Sequence, residues 1–221
     1  GIRFLRKLFL WNKLRERQME KRTTSGPRKL LLMLPNTEFY NNKFLYFSRH
    51  ENADFFNDSV IFLCEHSKSG AFGFVMNQPT DLSESILLSK LNLNKNNKHE
   101  TLKHVLRGGP VDTDRLFVLH NANGVKFQQT TRISDDLFLT TSNDILESIA
   151  RKKIDAKYKI IVGYCGWAPG QLESEIKQNS WHIISSDMDL VFDTLPNLVV
   201  DKLSEKIGYN LRTIISGENS H

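Results

Sequence analysis

The chain of 221 residues is 39% apolar and 25% charged, a balance ordinary for one globular domain with an appendage. Its two cysteines cannot build a framework of bridges, so a reducing compartment and free thiols are expected. No apolar run approaches the roughly 18 residues that span a bilayer, which excludes a transmembrane helix and leaves a soluble or peripheral protein.

The net charge of +5 is segregated. Residues 1–30 hold ten Lys or Arg and two Glu, a balance of +8, so the remaining residues carry −3. A basic arm on a mildly acidic domain points to a tether or an address rather than to a nucleic-acid-binding domain. Wound as a helix, residues 1–28 gather Phe4, Leu5, Leu8 and Trp11 on one side and Arg3, Arg6, Lys13 and Arg17 on the other, with Lys7 and Arg15 adding charge. Such a segment resembles an organellar transit peptide, could lie in a membrane interface, or docks its cations on phosphate or acidic protein. The expected partner is a protein or ribonucleoprotein assembly, with direct RNA contact open to the arm, and the expected location is an organellar matrix or stroma, mitochondrial or plastid, or otherwise the cytoplasm. "TTSGPRK" reads as the linker, residues 29–216 as the domain, and 217–221 as a tail.

The domain opens with "KLLLMLP", an apolar run of strand length, and "KFLYFSR" reads as a second strand. "SVIFLCEH" and "AFGFVMN" are nearly continuous apolar runs around the turn "SKSG", so both faces of each strand are expected to be covered. "SESILLSKLNL" has helical spacing, with Ser83 or Ser85 near its start, and "KLNLNKNNKHE" is a solvated loop. "HVLRGGPV" reads as a turn, while "DRLFVLHN" and "VKFQQTTRI" read as a strand pair around "ANG". "LFLTT" is a short strand, and "SNDILESIARKK" is a helix with acids at its start and cations at its end. "YKIIVGYC" is a buried strand, "PGQLESEIKQ" a helix with Pro169 in its first turn, and "WHIISSD" and "DLVFDT" short strands. "PNLVVDKLSEKIG" is a last helix closed by Gly208. Strands and helices intermix without steady βαβ alternation, which predicts an α+β fold.

The chemistry-bearing residues fit no catalytic pattern. Around Cys165, Gly163 stands two residues before but Trp167 two after, so the nucleophile elbow fails. Strand alternation predicts Cys64 and His66 on one face, with Glu65 opposed. Cys64, His66, His120 and Cys165 are the right types for zinc, but no pair has finger-like spacing, and no metal or cofactor is assigned. Neither a dinucleotide fingerprint, nor a Walker lysine, nor a nucleic-acid-binding motif is present. What remains is glycine-rich turns beside strands: Gly70 and Gly73, Gly108-Gly109-Pro110, and Gly163, Gly166 and Gly170. Glycine turns are first a matter of backbone geometry. On that reading Trp167 packs, and Gly166→Val costs about 1–3 kcal/mol. A convergence of the turns into a pocket is the functional alternative.

The stretches "LCEHSKSGAFGFVMNQP", "RGGPVDTDRLFVLH", "LTTSNDIL" and "VGYCGWAPGQLESEI" occur in an order that resembles the AlgH/YqgE family. The resemblance covers about residues 29–216. Gly163, Tyr164, Gly166, Trp167, Gly170, Gln171 and Glu175 match its signature. Glu65, His66 and Asn77 match the first motif, and Gly108, Gly109, Pro110 and His120 the second. The resemblance implies an α+β fold with a bifurcated mixed sheet curled into a small barrel and flanked by helices. It implies no reaction, although the family carries the name of a transcriptional regulator. Two classes of function stand: a non-catalytic interaction protein tethered by its arm, and an orphan enzyme or small-ligand sensor with a pocket near His66, His120 and Gln171.

Overall fold

A computed structural model describes residues 39–47, 55–93 and 103–214. The arm of residues 1–28, the "KLLLMLP" run, most of the solvated loop and the tail lie outside these residues. Ten strands and five α-helices are found among the described residues. In chain order the strands are β1 (Lys43–Phe47), β2 (Ser59–Ser67), β3 (Gly70–Val75), β4 (Pro79–Ser83), β5 (His104–Arg107), β6 (Val111–His120), β7 (Thr130–Ser134), β8 (Leu137–Thr140), β9 (Tyr158–Trp167) and β10 (His182–Ser185). The helices are α1 (Glu84–Lys90), α2 (Asn143–Ala150), α3 (Gln171–Lys177), α4 (Met188–Phe192) and α5 (Val199–Ile207). The fold is mixed α+β: a curled, mainly antiparallel sheet forms a half-barrel with helices flanking it.

The main path of the sheet runs β10-β1-β2-β3-β9-β6-β8-β7, with β4 and β5 branching from it. The branch is on β9. Ile161 and Val162 pair in parallel with Leu106 and Arg107 of β5, whereas Cys165, Gly166 and Trp167 pair antiparallel with Gly73, Phe72 and Ala71 of β3. Between the two halves stands Gly163, at φ +71°, a left-handed conformation that breaks the strand's regular twist. Gly108 bridges the fork: its N–H donates to the Val162 carbonyl at 2.8 Å, and its carbonyl accepts from the Val75 N–H at 2.8 Å.

Two apolar clusters lie against the sheet. Leu87, Leu88, Val105, Val118, Ile145, Leu146, Ile149 and Ile160 bring α1 and α2 onto the β5–β6–β9 part. Leu45, Ile61, Leu63, Val75, Cys165, Trp167, Leu172 and Trp181 bring α3 onto the β1–β2–β3 part.

Several sequence expectations change. His104–Arg107 is a strand, not part of a turn, because Val105 and Leu106 are fully buried on β9. The strand pair around "ANG" does not form. β6 pairs with β8 and β9, and residues 125–129 are a loop strapped to α2, where the Gln128 N–H donates to Asp144 Oδ2 at 2.7 Å and Ser142 Oγ donates to the Gln128 carbonyl. "DLVFDT" contributes α4, not a strand, because Asp187 caps a turn by accepting from the Asp189 N–H at 2.9 Å. Gly170, at φ +77°, is the cap residue of α3, so Pro169 precedes the helix. The alternation that put Cys64 and His66 on one face is broken by a bulge between Leu63 and Glu65. Leu63 opposes Gly73 and His66 opposes Ala71, so His66 shares the face of Leu63.

Candidate functional site

The signature "GYCGWAPGQLESE" turns from the end of β9 into α3, and its polar side chains close on one another. Glu175 Oε2 accepts from Trp167 Nε1 at 2.8 Å and from Trp181 Nε1 at 2.7 Å, and Glu175 Oε1 accepts from Gln171 Nε2 at 2.9 Å. Gln171 Oε1 in turn accepts from the Ala168 N–H at 3.0 Å. The spacing has a mechanical reason: Gln171 and Glu175 are one helical turn apart, and the end of β9 delivers Trp167 to the same turn. The Trp167 and Trp181 rings meet edge-on at 5.8 Å, and Phe47 and Phe56 extend the aromatic cluster from Trp181. Both indoles are buried, so each N–H requires an acceptor, and one carboxylate serves both.

The glycines of the fork are close-approach devices. A Cβ at Gly109 would run into the Tyr164 carbonyl and stand 2.5 Å from the Cys165 nitrogen. One at Gly108 would strike the Ile161 side chain, and one at Gly163 would sit 2.6 Å from the Gly109 carbonyl oxygen. A Cβ at Gly70 would meet the Trp167 carbonyl. Gly166 is different: its Cβ would meet only the Tyr164 ring, at 3.2 Å, on the exposed side of the strand. The tight positions are thus Gly70, Gly73, Gly108, Gly109 and Gly163 rather than Gly166. Pro110 is exposed beside them. Tyr164 is buried edge-on against Phe117, and burial raises its pKa.

The two family histidines stand in separate environments. His66 ends β2 under α3. Its Nδ1 accepts from the Tyr40 N–H at 3.1 Å, so the neutral ring carries its proton on Nε2, which lies 3.1 Å from Glu173 Oε1. Tyr40 also stacks on the ring at 5.6 Å, and the Asn41 amide brackets the His66 backbone. His120 is fully buried at the end of β6. Its Nδ1 accepts from the Ala122 N–H at 3.3 Å, its Nε2 meets Thr140 Oγ1 at 2.8 Å, and Phe127 and Phe138 enclose it. Burial lowers its pKa to about 4, so the ring is neutral. His120 therefore does not join His66 and Gln171 in a common pocket. Nor do Cys64, Cys165 and the histidines meet: no group of three potential metal ligands occurs among the described residues.

Both thiols are free and buried. Burial holds Cys64 well above the usual thiol range and pushes Cys165 up to about 12, with Cys165 Sγ donating to the Gly108 carbonyl at 3.3 Å. These are inert packing groups rather than nucleophiles. Asn77 pins the start of β2, accepting from the Val60 N–H at 2.9 Å and donating to the Asp58 carbonyl at 2.7 Å. Glu65 is half-buried on the opposite face from His66, across from Phe72.

One polar cluster escaped the sequence reading. Glu84, in the first turn of α1, is only 2% exposed and accepts from Tyr158 Oη at 3.2 Å. Lys103 lies 4.9 Å over the Tyr158 ring, while half-buried Lys159, the next residue of β9, projects to the other face and donates to the Thr194 carbonyl at 3.4 Å. Glu84 itself reads in sequence as an ordinary acid favoured at a helix start.

The comparisons agree with this architecture. The AlgH-like family model matches residues 44–212. A UPF0301 protein of Haemophilus influenzae is 42% identical over 152 residues, covering 68% of this chain and 81% of its own. A UPF0301 protein of Thioalkalivibrio sulfidiphilus is 36% identical over 189 residues, 86% of this chain and all of its own. The solution structure of AlgH from Pseudomonas aeruginosa superposes with a TM-score of 0.68 at 32% identity, over 85% of this chain and all of that one. A Corynebacterium diphtheriae protein shares the fold at a TM-score of 0.58 and 18% identity, over 82% of this chain and 94% of that one. With the fork, the signature and these relatives in agreement, the chain belongs to the AlgH-like family.

Proposed function

We propose that this protein is a non-catalytic AlgH-like interaction protein of an organelle, tethered by its basic arm to a larger assembly of ribonucleoprotein character. The segregated charge carries the reading: +8 in residues 1–30 against −3 in the rest, with the basic stretch outside the family match at residues 44–212. A strongly cationic segment binds polyanions through counterion release. Phe4, Leu8 and Trp11 call for an apolar groove that a bare nucleic-acid backbone does not offer, so a composite protein–RNA surface suits the arm. Support for a non-catalytic domain comes from the commitments of the family-matching side chains. Glu175, Gln171, Trp167, Asn77 and His120 all spend their polar atoms on internal partners.

The test is deletion of residues 1–28, followed by affinity purification at several salt concentrations. The truncated protein stays folded, judged by its thermal transition, but loses its assembly, and the full chain's association weakens steeply with salt. Co-purification of the truncated protein with the same partners at the same salt would move the interaction to the domain surface.

A further inference from the structure

We infer that Asn123 is a site of spontaneous covalent modification, at which the Gly124 nitrogen closes on the Asn123 side chain and converts the asparagine to aspartate and isoaspartate. Asn123-Gly124 is the one Asn-Gly pair among the 221 residues. In sequence the pair reads as the turn of a hairpin, but that hairpin does not form. β6 pairs with β8 and β9, and the pair is left in the loop between β6 and β7. No strand ladder holds the turn in place.

The local geometry leaves both reacting groups free. Asn123, Gly124, Val125 and Lys126 are all exposed. Among the described residues no hydrogen bond holds the Asn123 side chain or the Gly124 N–H. Gly124 has no side chain to shield its nitrogen, and a Cβ built there would meet nothing within 4 Å, so the space around it is open. Its φ of +79° lies in the region where glycine moves without steric cost. The loop is fixed only on either side of the pair, where the Ala122 N–H donates to His120 Nδ1 at 3.3 Å and the Gln128 N–H to Asp144 Oδ2 at 2.7 Å.

Other asparagines show what protection looks like. Asn77 is held at both ends of its amide, by the Val60 N–H and the Asp58 carbonyl. Asn121 Oδ1 accepts from the Lys157 N–H at 2.8 Å. After Asn179, the nitrogen that would have to attack belongs to Ser180, and its N–H donates to the Glu175 carbonyl at 3.0 Å.

The step needs only water and hydroxide. Hydroxide takes the Gly124 amide proton, the nitrogen bonds to Asn123 Cγ, and the Cγ–Nδ2 bond breaks. Ammonia leaves with a proton from water, which restores the hydroxide, and a cyclic imide remains. Water then opens the imide. Attack at Cγ gives aspartate. Attack at the main-chain carbonyl gives isoaspartate, whose backbone runs through the former side chain and gains a methylene. Either product places a carboxylate beside Lys126, and isoaspartate also lengthens a loop pinned on both sides.

The experiment incubates the full chain at neutral and mildly alkaline pH, with and without urea, and follows the tryptic peptide of residues 116–126 by chromatography and fragment mass spectrometry. Conversion is expected at Asn123, faster at the higher pH, with both aspartate and isoaspartate formed. Its rate in the folded chain should lie within about tenfold of that in urea, as for a segment with little local stability. Gly124→Ala, whose methyl crowds the attacking nitrogen, slows conversion at least about tenfold, an added barrier of about 1.4 kcal/mol. Three results would each overturn the assignment: a folded-state rate more than about tenfold below that in urea, conversion of Asn121 or Asn179 matching that of Asn123 in the folded chain, or a rate unmoved by Gly124→Ala.

Discussion

Replacing Glu175 with alanine is the sharpest probe of what the signature is for. The substitution strips the acceptor from two buried indole N–H groups, Trp167 Nε1 at 2.8 Å and Trp181 Nε1 at 2.7 Å, and from Gln171 Nε2 at 2.9 Å. Each indole left without a partner costs about 1–3 kcal/mol. Gln171 is exposed and turns to water, so its share is small. The expected loss is about 3–5 kcal/mol, a large fraction of a typical domain's stability. Glu175→Gln separates charge from geometry. Its carbonyl oxygen still accepts from both indoles, but its amide then confronts the Gln171 amide. Relief requires Gln171 to flip, and the flip takes the acceptor from the Ala168 N–H. The glutamine variant should therefore lose about 1–2 kcal/mol, between native and alanine. The assay is urea unfolding followed by tryptophan fluorescence and, independently, by far-ultraviolet dichroism, since Trp11 in the arm also emits. Should Glu175→Ala unfold within about 1 kcal/mol of the native chain, the carboxylate is not a structural clamp. The signature would then have to be re-read as a ligand site.

The glycines give a graded series. Gly109→Ala, whose Cβ collides with backbone atoms of Tyr164 and Cys165, should cost at least about 3 kcal/mol or prevent folding, whereas Gly166→Ala should cost under about 1 kcal/mol by the same urea measurement. His120 supplies a pH dependence. Its folded pKa near 4 lies below the ordinary 6.5, so the unfolded chain takes up a proton that the folded chain refuses. Stability is fully present above about pH 6.5 and declines as pH falls towards 4, by up to about 3 kcal/mol. Ring-proton NMR should show His120 neutral at pH 5.5, and titration near 6.5 would contradict its enclosure by Thr140, Phe127 and Phe138.

The sequence alone settled the parts that rest on local physics. Continuous apolar runs marked β2, β3 and β9 as strands covered on both faces, because periodicity and burial are properties of the chain itself. Ser83 or Ser85 and the acids after Ser142 marked helix starts, of which Ser83 is the cap, and Gly208 marked a helix end at φ +86°. The order of the glycine motifs identified the family. The tertiary structure decided what those motifs do. Nothing in "RGGP" tells that Gly109 lies against Tyr164, since the contact joins residues 55 apart on a forked sheet. The bulge at Cys64 moved His66 onto the face of Leu63 through a single extra residue, which no count of apolar positions reveals. His120 and His66 read alike as site histidines, yet one is sealed beside Thr140 and the other is turned towards Glu173. Glu84, which no sequence motif singles out, is buried beside Tyr158. Burial of a polar group depends on which distant strands close over it, and pairing across the chain is set by the packing of the whole sheet.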